Sequence, residues 1–283
     1  MNAGLIAAAV EVARKADVVV LCLGQTHFMA REAWAPYHRG DNASLELRAQ
    51  QDDLVRAIRR TGKPVVVALF NGSPLAFESI SRDVPAILEC WYLGQEAGDA
   101  FAGVLFGTVN PSGKLPVTLA RSVGQLPVFY NHKPSSRTRG YVLDDDRPLY
   151  PFGFGLSYTT FSYAHLAVRP LADRSAAMAK VSVDVTNTGR VAGRETVEMY
   201  VHQQVSSLTR PVKELRDFAK IELQPGETRT VEFAITPEKL AFHDAGMRFV
   251  VEPGDFDIMV GSSSEELQTA VLTVDREIEL PQQ

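Results

Sequence analysis

A polar stretch near the start of the chain holds side chains that can do chemistry. It follows the apolar run Val18–Leu23 and extends from Gly24 to Leu47. The carboxyl group of Glu32 in this stretch can donate or accept a proton. Four further side chains here can hydrogen-bond to a ligand or stack against it: His27, Trp34, Tyr37 and His38. The alternative is a solvated loop whose carboxylate faces water and whose aromatic rings pack on the protein surface.

The segments around this stretch predict an α/β domain. Apolar residues recur at helical spacing over residues 2–13, 49–61 and 97–105. Three short apolar runs have the pattern of strands buried on both faces: Val18–Leu23, Val65–Phe70 and Pro85–Cys90. Strands separated by helices in this way indicate a parallel sheet with right-handed crossovers. Such sheets hold ligands in loops beyond the carboxyl ends of their strands, which is where the polar stretch lies.

The last third of the chain has a different pattern, which predicts an all-β domain. Apolar and polar residues alternate in several runs, among them residues 181–185, 197–201, 231–235 and 256–260, with turn signals between them. About seven such strands are typical of a β-sandwich. Residues 110–158 are rich in proline, glycine and aromatic side chains and are expected to form a structured connector. The predicted domains are residues 1–165, including the connector, and residues 166–283.

The composition argues against several classes of function. The 283 residues carry a net charge of −5, which disfavours a nucleic-acid partner, and no apolar run reaches the roughly 20 residues that span a bilayer. Cys22 and Cys90 lie in apolar runs and are expected to be buried thiols rather than disulfide or metal ligands. The histidines lack metal-ligand spacing and no glycine-rich nucleotide loop occurs, so we expect no metal and no cofactor. A nucleotide-binding protein is therefore the weakest interpretation.

Several short motifs occur in an order that is specific as a set, although each is weak alone. They are Asn71-Gly72-Ser73-Pro74-Leu75, Trp91-Tyr92-Leu93-Gly94-Gln95-Glu96-Ala97-Gly98, Asn110-Pro111-Ser112-Gly113-Lys114-Leu115-Pro116, Pro151-Phe152-Gly153-Phe154-Gly155-Leu156-Ser157-Tyr158, Thr186-Asn187-Thr188-Gly189 and Arg210-Pro211-Val212-Lys213-Glu214-Leu215. Together they resemble glycoside hydrolase family 3, in particular its bacterial periplasmic β-glucosidase-like members. The resemblance extends over nearly the whole chain.

The resemblance implies a specific architecture. It implies part of a three-layer α/β/α sandwich with a mostly parallel sheet, followed by a fibronectin type III-like β-sandwich. In the family a (β/α)₈ barrel of about 250 residues precedes these domains and carries the nucleophilic aspartate. These 283 residues leave no room for it, so we expect a fragment, a misplaced start or one piece of a split enzyme. A sheet cut in this way is expected to expose an unpaired edge and uncovered apolar surface.

The resemblance also implies site residues. Met29-Ala30-Arg31-Glu32-Ala33 matches the family stretch that carries the acid/base glutamate of a retaining β-glycosidase, which assigns that role to Glu32. The chemistry of the side chains, rather than the resemblance, makes Trp34 and His27 the expected sugar contacts. Arg39 is expected to take the place of the family arginine. This chain departs from the family pattern by extra residues over 34–40 and by Arg48 where a proline is usual. The expected substrate is a terminal β-D-glucoside or an oligosaccharide.

Partners and compartment follow from the same comparison. A barrel-bearing partner chain or a homo-oligomer is the expected source of the second carboxylate, and neither nucleic acid nor membrane is expected. Family members are often periplasmic or secreted, but the apolar residues 5–10 are too few for an export signal, so the compartment stays open. The competing hypothesis is a non-catalytic module that binds carbohydrate or a protein partner. Glu96, at a predicted helix start, is interpreted as structural.

Overall fold

The computed structural model describes residues 3–26, 29, 42–134, 146–172 and 177–281. The chain divides into two compact units. The α/β unit consists of Met1–Phe106, Leu119–Val128 and Arg147–Leu149, and the β-sandwich unit consists of Gly107–Thr118, Phe129–Asp146 and Tyr150–Gln283. None of the helices in the described ranges is long and apolar enough to cross a membrane.

The α/β unit contains a parallel sheet with helices between its strands. Its elements are, in chain order, α1 (Ala3–Arg14), β1 (Val19–Gly24), α2 (Gln51–Arg59), β2 (Val65–Phe70), α3 (Glu78–Asp83), β3 (Ala86–Glu89) and α4 (Ala97–Leu105). The strands are hydrogen-bonded in the order β1-β2-β3, with Val19 opposite Val65 and Val66 opposite Ala86. The predicted α/β class is confirmed, and α3 is an element that the sequence pattern did not indicate.

Each face of this sheet is covered to a different extent. Leu21 and Leu23 of β1 are buried, whereas Val20 and Cys22, which point to the other face, are exposed. On that face Phe101 of α4 packs edge-on against Phe70 of β2, with ring centroids 5.8 Å apart. The prediction that β1 is buried on both faces was therefore wrong. It was also wrong for β3, in which Ala86 is exposed and the other three residues are half-buried. β1 is an outer strand. The helix α4 packs on the same face of the sheet as Val20 and Cys22, but it does so at β2.

The two cysteine thiols are also less buried than the sequence predicted. The prediction that both cysteines are buried was wrong for Cys22, which is exposed, and only partly right for Cys90, which is half-buried. Burial raises the pKa of the Cys90 thiol to about 11. The exposed Val20 of β1 and the neighbouring Val18, which is 51% exposed, form an apolar surface of the kind expected for a sheet without its full cover.

The β-sandwich unit packs two antiparallel sheets around one core. Its strands are β4 (Phe161–Pro170), β5 (Ala179–Asn187), β6 (Gly193–Gln203), β7 (Glu214–Leu223), β8 (Thr228–Ile235), β9 (Phe242–His243), β10 (Phe249–Val251), β11 (Gly254–Gly261), β12 (Leu267–Val274) and β13 (Ile278–Leu280), with α5 (Pro237–Leu240) between β8 and β9. The orders β12-β11-β6-β7 and β4-β5-β8 give the two larger sheets, whose inward side chains share the core. The all-β prediction is confirmed.

The sequence pattern missed β4. This strand reads as weakly alternating because its register against β5 shifts between Ala164 and Ala167, and His165 within the shift has a φ of 55°. A β-bulge of this kind breaks the period-two pattern from which a strand is recognised. The described parts of the proline- and glycine-rich connector pair through their backbones, for example from Leu115 N–H to Phe154 C=O at 2.9 Å. The predicted boundary between residues 165 and 166 stays a prediction.

Candidate active site at the carboxyl edge of the sheet

The carboxyl ends of the three parallel strands meet at one edge, where a polar cluster replaces the apolar core. Gln25 follows β1, Asn71 follows β2, and Glu89 ends β3. Gln25 and Asn71 are buried, and Asn71 is completely inaccessible to solvent. Because ligand sites of open α/β sheets lie beyond this edge, the cluster marks the part of the α/β unit that is best placed to support chemistry.

One side chain clamps both ends of the long loop that leaves β1. The amide of Gln51 accepts a hydrogen bond from Gly24 N at 2.8 Å and donates to Gly24 O at 2.9 Å. The Gln51 Nε2 atom, which makes the bond to Gly24 O, also donates to the carbonyl oxygen of Arg48 at 3.0 Å. Gln51 opens α2 and therefore joins the last residue of β1, the end of the loop and the start of the next helix.

The turn after β2 supports the first residue of this loop. Ser73 Oγ donates to Gln25 Oε1 at 3.3 Å, and Tyr92 Oη donates to Gln25 O at 3.1 Å. Gly72 lies under the Tyr92 ring, where a Cβ atom would come within 2.3 Å of Cε2. The glycine is thus required by the close approach of the ring, and the ring in turn fixes the backbone of Gln25.

The edge also contains a carboxyl group of unusual chemistry. Burial raises the pKa of Glu89 to about 7, while the Asn71 side chain and the Trp91 N–H act in the opposite direction. Trp91 has a φ of 53°, a left-handed conformation that is uncommon outside glycine and is often associated with functional sites. A carboxyl group with such a pKa could act as a general acid, but the Glu89 oxygens are inaccessible to solvent.

The site residues predicted from the sequence lie outside the described residues. These are Glu32, His27, Trp34 and Arg39, and their roles stay predictions. The described parts of the same loop are anchored, because Asn42 Nδ2 donates to Met29 O at 3.0 Å and Ala76 N donates to Leu45 O at 2.8 Å.

The sequence interpretation missed the residues that build the base of the loop, which are Gln25, Gln51, Asn71 and Glu89. One signal was available for Glu89, the charged residue at the end of an apolar strand. Glu96 immediately precedes α4, as predicted for a helix start, and it is exposed. Across the described segments, no group of three or more histidine, cysteine, aspartate or glutamate side chains could hold a metal ion.

The β-sandwich unit has a concave surface of its own, a groove of about 480 Å³. Its wall combines a buried charge pair, hydroxyl and amide groups and apolar side chains. Lys114 Nζ lies 3.2 Å from Glu195 Oε1, which also accepts a hydrogen bond from Tyr163 Oη at 2.8 Å. Gln268 Nε2 donates to Tyr163 O at 2.6 Å. Burial and the Glu195 carboxylate raise the Tyr163 pKa, so the phenol stays a hydrogen-bond donor.

Comparisons with known proteins agree with both units. The glycosyl hydrolase family 3 C-terminal domain matches residues 3–158, and a fibronectin type III-like domain matches residues 195–264. A β-xylosidase of Formosa agariphila is 45% identical over 271 residues, which are 94% of this chain and 37% of that protein. A periplasmic β-glucosidase of Salmonella typhimurium is 42% identical over 270 residues, which are 92% of this chain and 34% of that protein.

Solved structures give the same result. A β-glucosidase from Erythrobacter marinus superposes with a TM-score of 0.91 at 45% identity, covering 95% of this chain and 36% of that one. A β-glucosidase from Listeria innocua in complex with glucose gives a TM-score of 0.87 at 33% identity, covering 97% and 39%. This chain thus spans little more than a third of the relatives that it matches. It belongs to glycosyl hydrolase family 3, of which it contains the C-terminal α/β domain and the fibronectin type III-like domain.

Proposed function

We propose that this chain is the acid/base-bearing part of a retaining β-glycosidase that removes terminal β-D-glucosyl residues. Glu32 protonates the oxygen of the leaving group and then, as a carboxylate, activates the water that releases the sugar. The attacking aspartate belongs to a (β/α)₈ barrel outside these 283 residues. Two carboxyl groups about 5–5.5 Å apart are needed for this chemistry, so the loop that carries Glu32 has to be held in a defined position.

The observation that carries the proposal is the clamp at the base of that loop. Gln51 ties Gly24 to Arg48, and the Ser73 and Tyr92 hydroxyl groups hold Gln25. A long loop fixed at both ends beyond a parallel strand can present a carboxylate reproducibly. The β-glucosidase and β-xylosidase names of the relatives support the substrate class. The exposed apolar face of β1 supports the packing of further polypeptide against the α/β unit.

Release of nitrophenol from aryl β-glucosides tests the proposal. The purified chain alone is expected to be inactive, and activity is expected when a barrel from a related β-glucosidase is added. Glu32→Gln is expected to lower that activity by about a hundredfold or more, because a positioned proton donor contributes about 10²–10⁴ to the rate.

Glu96→Gln is the matched control, since Glu96 is an exposed glutamate of the same unit and should leave the rate unchanged. Equal rates for Glu32→Gln and the unaltered chain would contradict the assignment of Glu32. If the chain alone hydrolyses the substrate and Glu32→Gln abolishes this activity, the chain supplies both carboxylates. The proposal that the nucleophile belongs to a barrel outside these residues would then be wrong.

The groove of the β-sandwich unit favours a second candidate function, the binding of a neutral saccharide. A volume of about 480 Å³ lies within the range of small-ligand sites, and the wall presents the carboxylate, amide and hydroxyl groups that recognise sugar hydroxyls. The Lys114–Glu195 pair neutralises part of the charge of the wall, and the Glu266 carboxylate that also lines it disfavours an anionic ligand.

Titration with cellobiose, followed by amide chemical shifts, is expected to move signals of groove residues. The exposed Thr160 lines the groove, so Thr160→Trp should remove the effect by filling it. Thr188→Trp, a change at its exposed hydrogen-bond partner, serves as the control for the loss of that bond. Unchanged spectra at tens of millimolar sugar would exclude this function.

A further inference from the structure

The Glu89 carboxyl group is a buried acid that the proposed reaction does not use. Within the described part of the chain, neither of its oxygens has a hydrogen-bond partner, and Asn71 Oδ1 lacks one as well. Asn71 lies beside the carboxyl group and is fully buried. The Trp91 N–H and the Asn71 side chain act on the carboxyl group, but neither forms a hydrogen bond of good geometry with it. Three inaccessible acceptor atoms left in this way are unfavourable, because buried polar atoms are nearly always hydrogen-bonded.

A single proton removes this conflict. We propose that Glu89 stays protonated up to near-neutral pH and donates its O–H to Asn71 Oδ1, which makes Glu89 a positioning residue for the loop that begins at Gln25. A neutral carboxyl group has one donor and can satisfy the Asn71 oxygen, which has no hydrogen-bond partner among the described residues. Its burial at the end of β3 favours the uncharged form.

The effect of this proton reaches the loop through two side chains. Asn71 Nδ2 donates to Ser73 O at 3.0 Å, which sets the turn after β2. Ser73 Oγ then donates to Gln25 Oε1 at 3.3 Å, and Gln25 N donates to Phe70 O at 2.9 Å. Ionised Glu89 would place a negative charge against the Asn71 oxygen and weaken this chain at its first link. The positional role rests on the proposed function, whereas the protonation does not.

The groups around Glu89 leave burial as the dominant influence. The titratable group that interacts with Glu89 is the thiol of Cys90, next in sequence, which also interacts with Cys22 on β1. The Cys90 pKa of about 11 keeps that thiol neutral at physiological pH. The remaining neighbours that act on Glu89 are uncharged, the Asn71 amide and the Trp91 N–H, and both favour ionisation. No described cation is among the groups that shift the Glu89 pKa.

Carbon-13 NMR of the glutamate carboxyl groups tests the proton directly on the whole chain. One resonance is expected to titrate near pH 7 and to be absent in Glu89→Gln. Glu198 is the matched control, since burial also raises its pKa and Tyr200 donates to it, so Glu198→Gln removes a different resonance.

Titration of Glu89 below pH 5.5 would overturn the proposal. A midpoint that moves with sodium or potassium concentration would also overturn it, because a cation would then occupy the place of the proton. If Glu89→Gln fails to fold, a resonance that titrates near pH 7 and persists in Glu198→Gln decides the matter, because Glu198 is the other described glutamate whose pKa is raised by burial.

Stability against pH gives a second test, with a sign that a merely structural role would not produce. The folded-state pKa of about 7 lies above the ordinary value of 4.5, so the contribution of Glu89 to stability is complete below pH 4.5 and is lost as the pH rises through 7. Glutamine keeps the donor and cannot ionise. Glu89→Gln should therefore melt about 5 °C above wild type at pH 8 and at the same temperature as wild type at pH 4.5.

Glu89→Ala lacks the donor and is expected to melt below wild type at both pH values. A difference between Glu89→Gln and wild type that does not change with pH would contradict the proposal. Both measurements are made without sugar, so a protonated Glu89 in a chain that shows no hydrolysis with any barrel would refute the proposed function alone.

Discussion

Replacing Asn187 by alanine is expected to lower the free energy of unfolding of the β-sandwich unit by about 4 kcal/mol. Asn187 ends β5 and is completely buried. Its Oδ1 atom accepts hydrogen bonds from Thr159 Oγ1 at 2.6 Å and from Gly189 N at 3.0 Å. Its Nδ2 atom donates to Val191 O at 2.8 Å and to Leu223 O at 3.0 Å. One side chain therefore joins β5, the following turn, the end of β7 and the segment before β4.

The size of the effect follows from what the substitution leaves behind. Alanine removes one amide but leaves its hydrogen-bond partners without it, and an unsatisfied buried group costs about 1–3 kcal/mol. Water that enters the vacated space would satisfy some of these groups. We therefore expect a loss of about 4 kcal/mol, which is less than the summed cost of all the unsatisfied partners. No other side chain in the described part of this turn can replace the amide, because Thr188 is exposed and pairs with Thr160 instead.

Hydrogen–deuterium exchange of peptides from β5, β6 and β8 measures this change in stability. The matched control is Thr188→Ala, which alters the neighbouring exposed residue and should cost less than about 1 kcal/mol. Similar exchange rates in the two variants would show that Asn187 contributes no more than an ordinary turn residue.

The two domains could be predicted from the sequence because hydrophobic periodicity reports directly on burial. The continuous run Val65–Phe70 is an inner strand, and the alternating runs in the last third are strands with one buried face. The pattern failed where burial depends on neighbours that it cannot show. Val18–Leu23 has the same composition as an inner strand, yet β1 is an outer strand with Val20 exposed. A bulge at residues 164–167 hid β4 for a different reason, the loss of alternation.

The candidate site was predictable only in part. The rule that parallel sheets bind ligands beyond their carboxyl ends pointed to the edge at which the polar cluster lies, and the family resemblance predicts Glu32 within the loop. The residues that hold this loop are polar side chains whose partners are distant in sequence, such as Gln51 with Gly24 and Ser73 with Gln25. Spacing along the chain contains no information about such contacts. Asn187 illustrates the same limit, since its turn was recognisable but its hydrogen bonds to Thr159 and Leu223 were not.

Replacing Gly24 by alanine is expected to destabilise the α/β unit by about 5 kcal/mol and to abolish any hydrolysis that depends on Glu32. Gly24 has a φ of 137°, a conformation that other residues rarely adopt, and an added Cβ would lie 1.9 Å from Phe70 O and 2.6 Å from Phe70 C. These are backbone atoms of the neighbouring strand and cannot rotate away. Because Gly24 and Phe70 are opposed in the β1–β2 ladder, the strands would have to separate at this end.

Separation of the strands would also break the clamp on the loop, since Gln51 binds both the N–H and the carbonyl of Gly24. Gly62→Ala is the matched control, because Gly62 has a φ of 75° but no atom within 4 Å of an added Cβ, so only about 1–2 kcal/mol of backbone strain is expected. Urea unfolding followed by tryptophan fluorescence distinguishes the two, since Trp34 and Trp91 both precede residue 107. Equal urea midpoints for Gly24→Ala and Gly62→Ala would mean that β1 accommodates a Cβ atom at position 24 without additional loss of stability. The clamp would then not determine the position of Glu32.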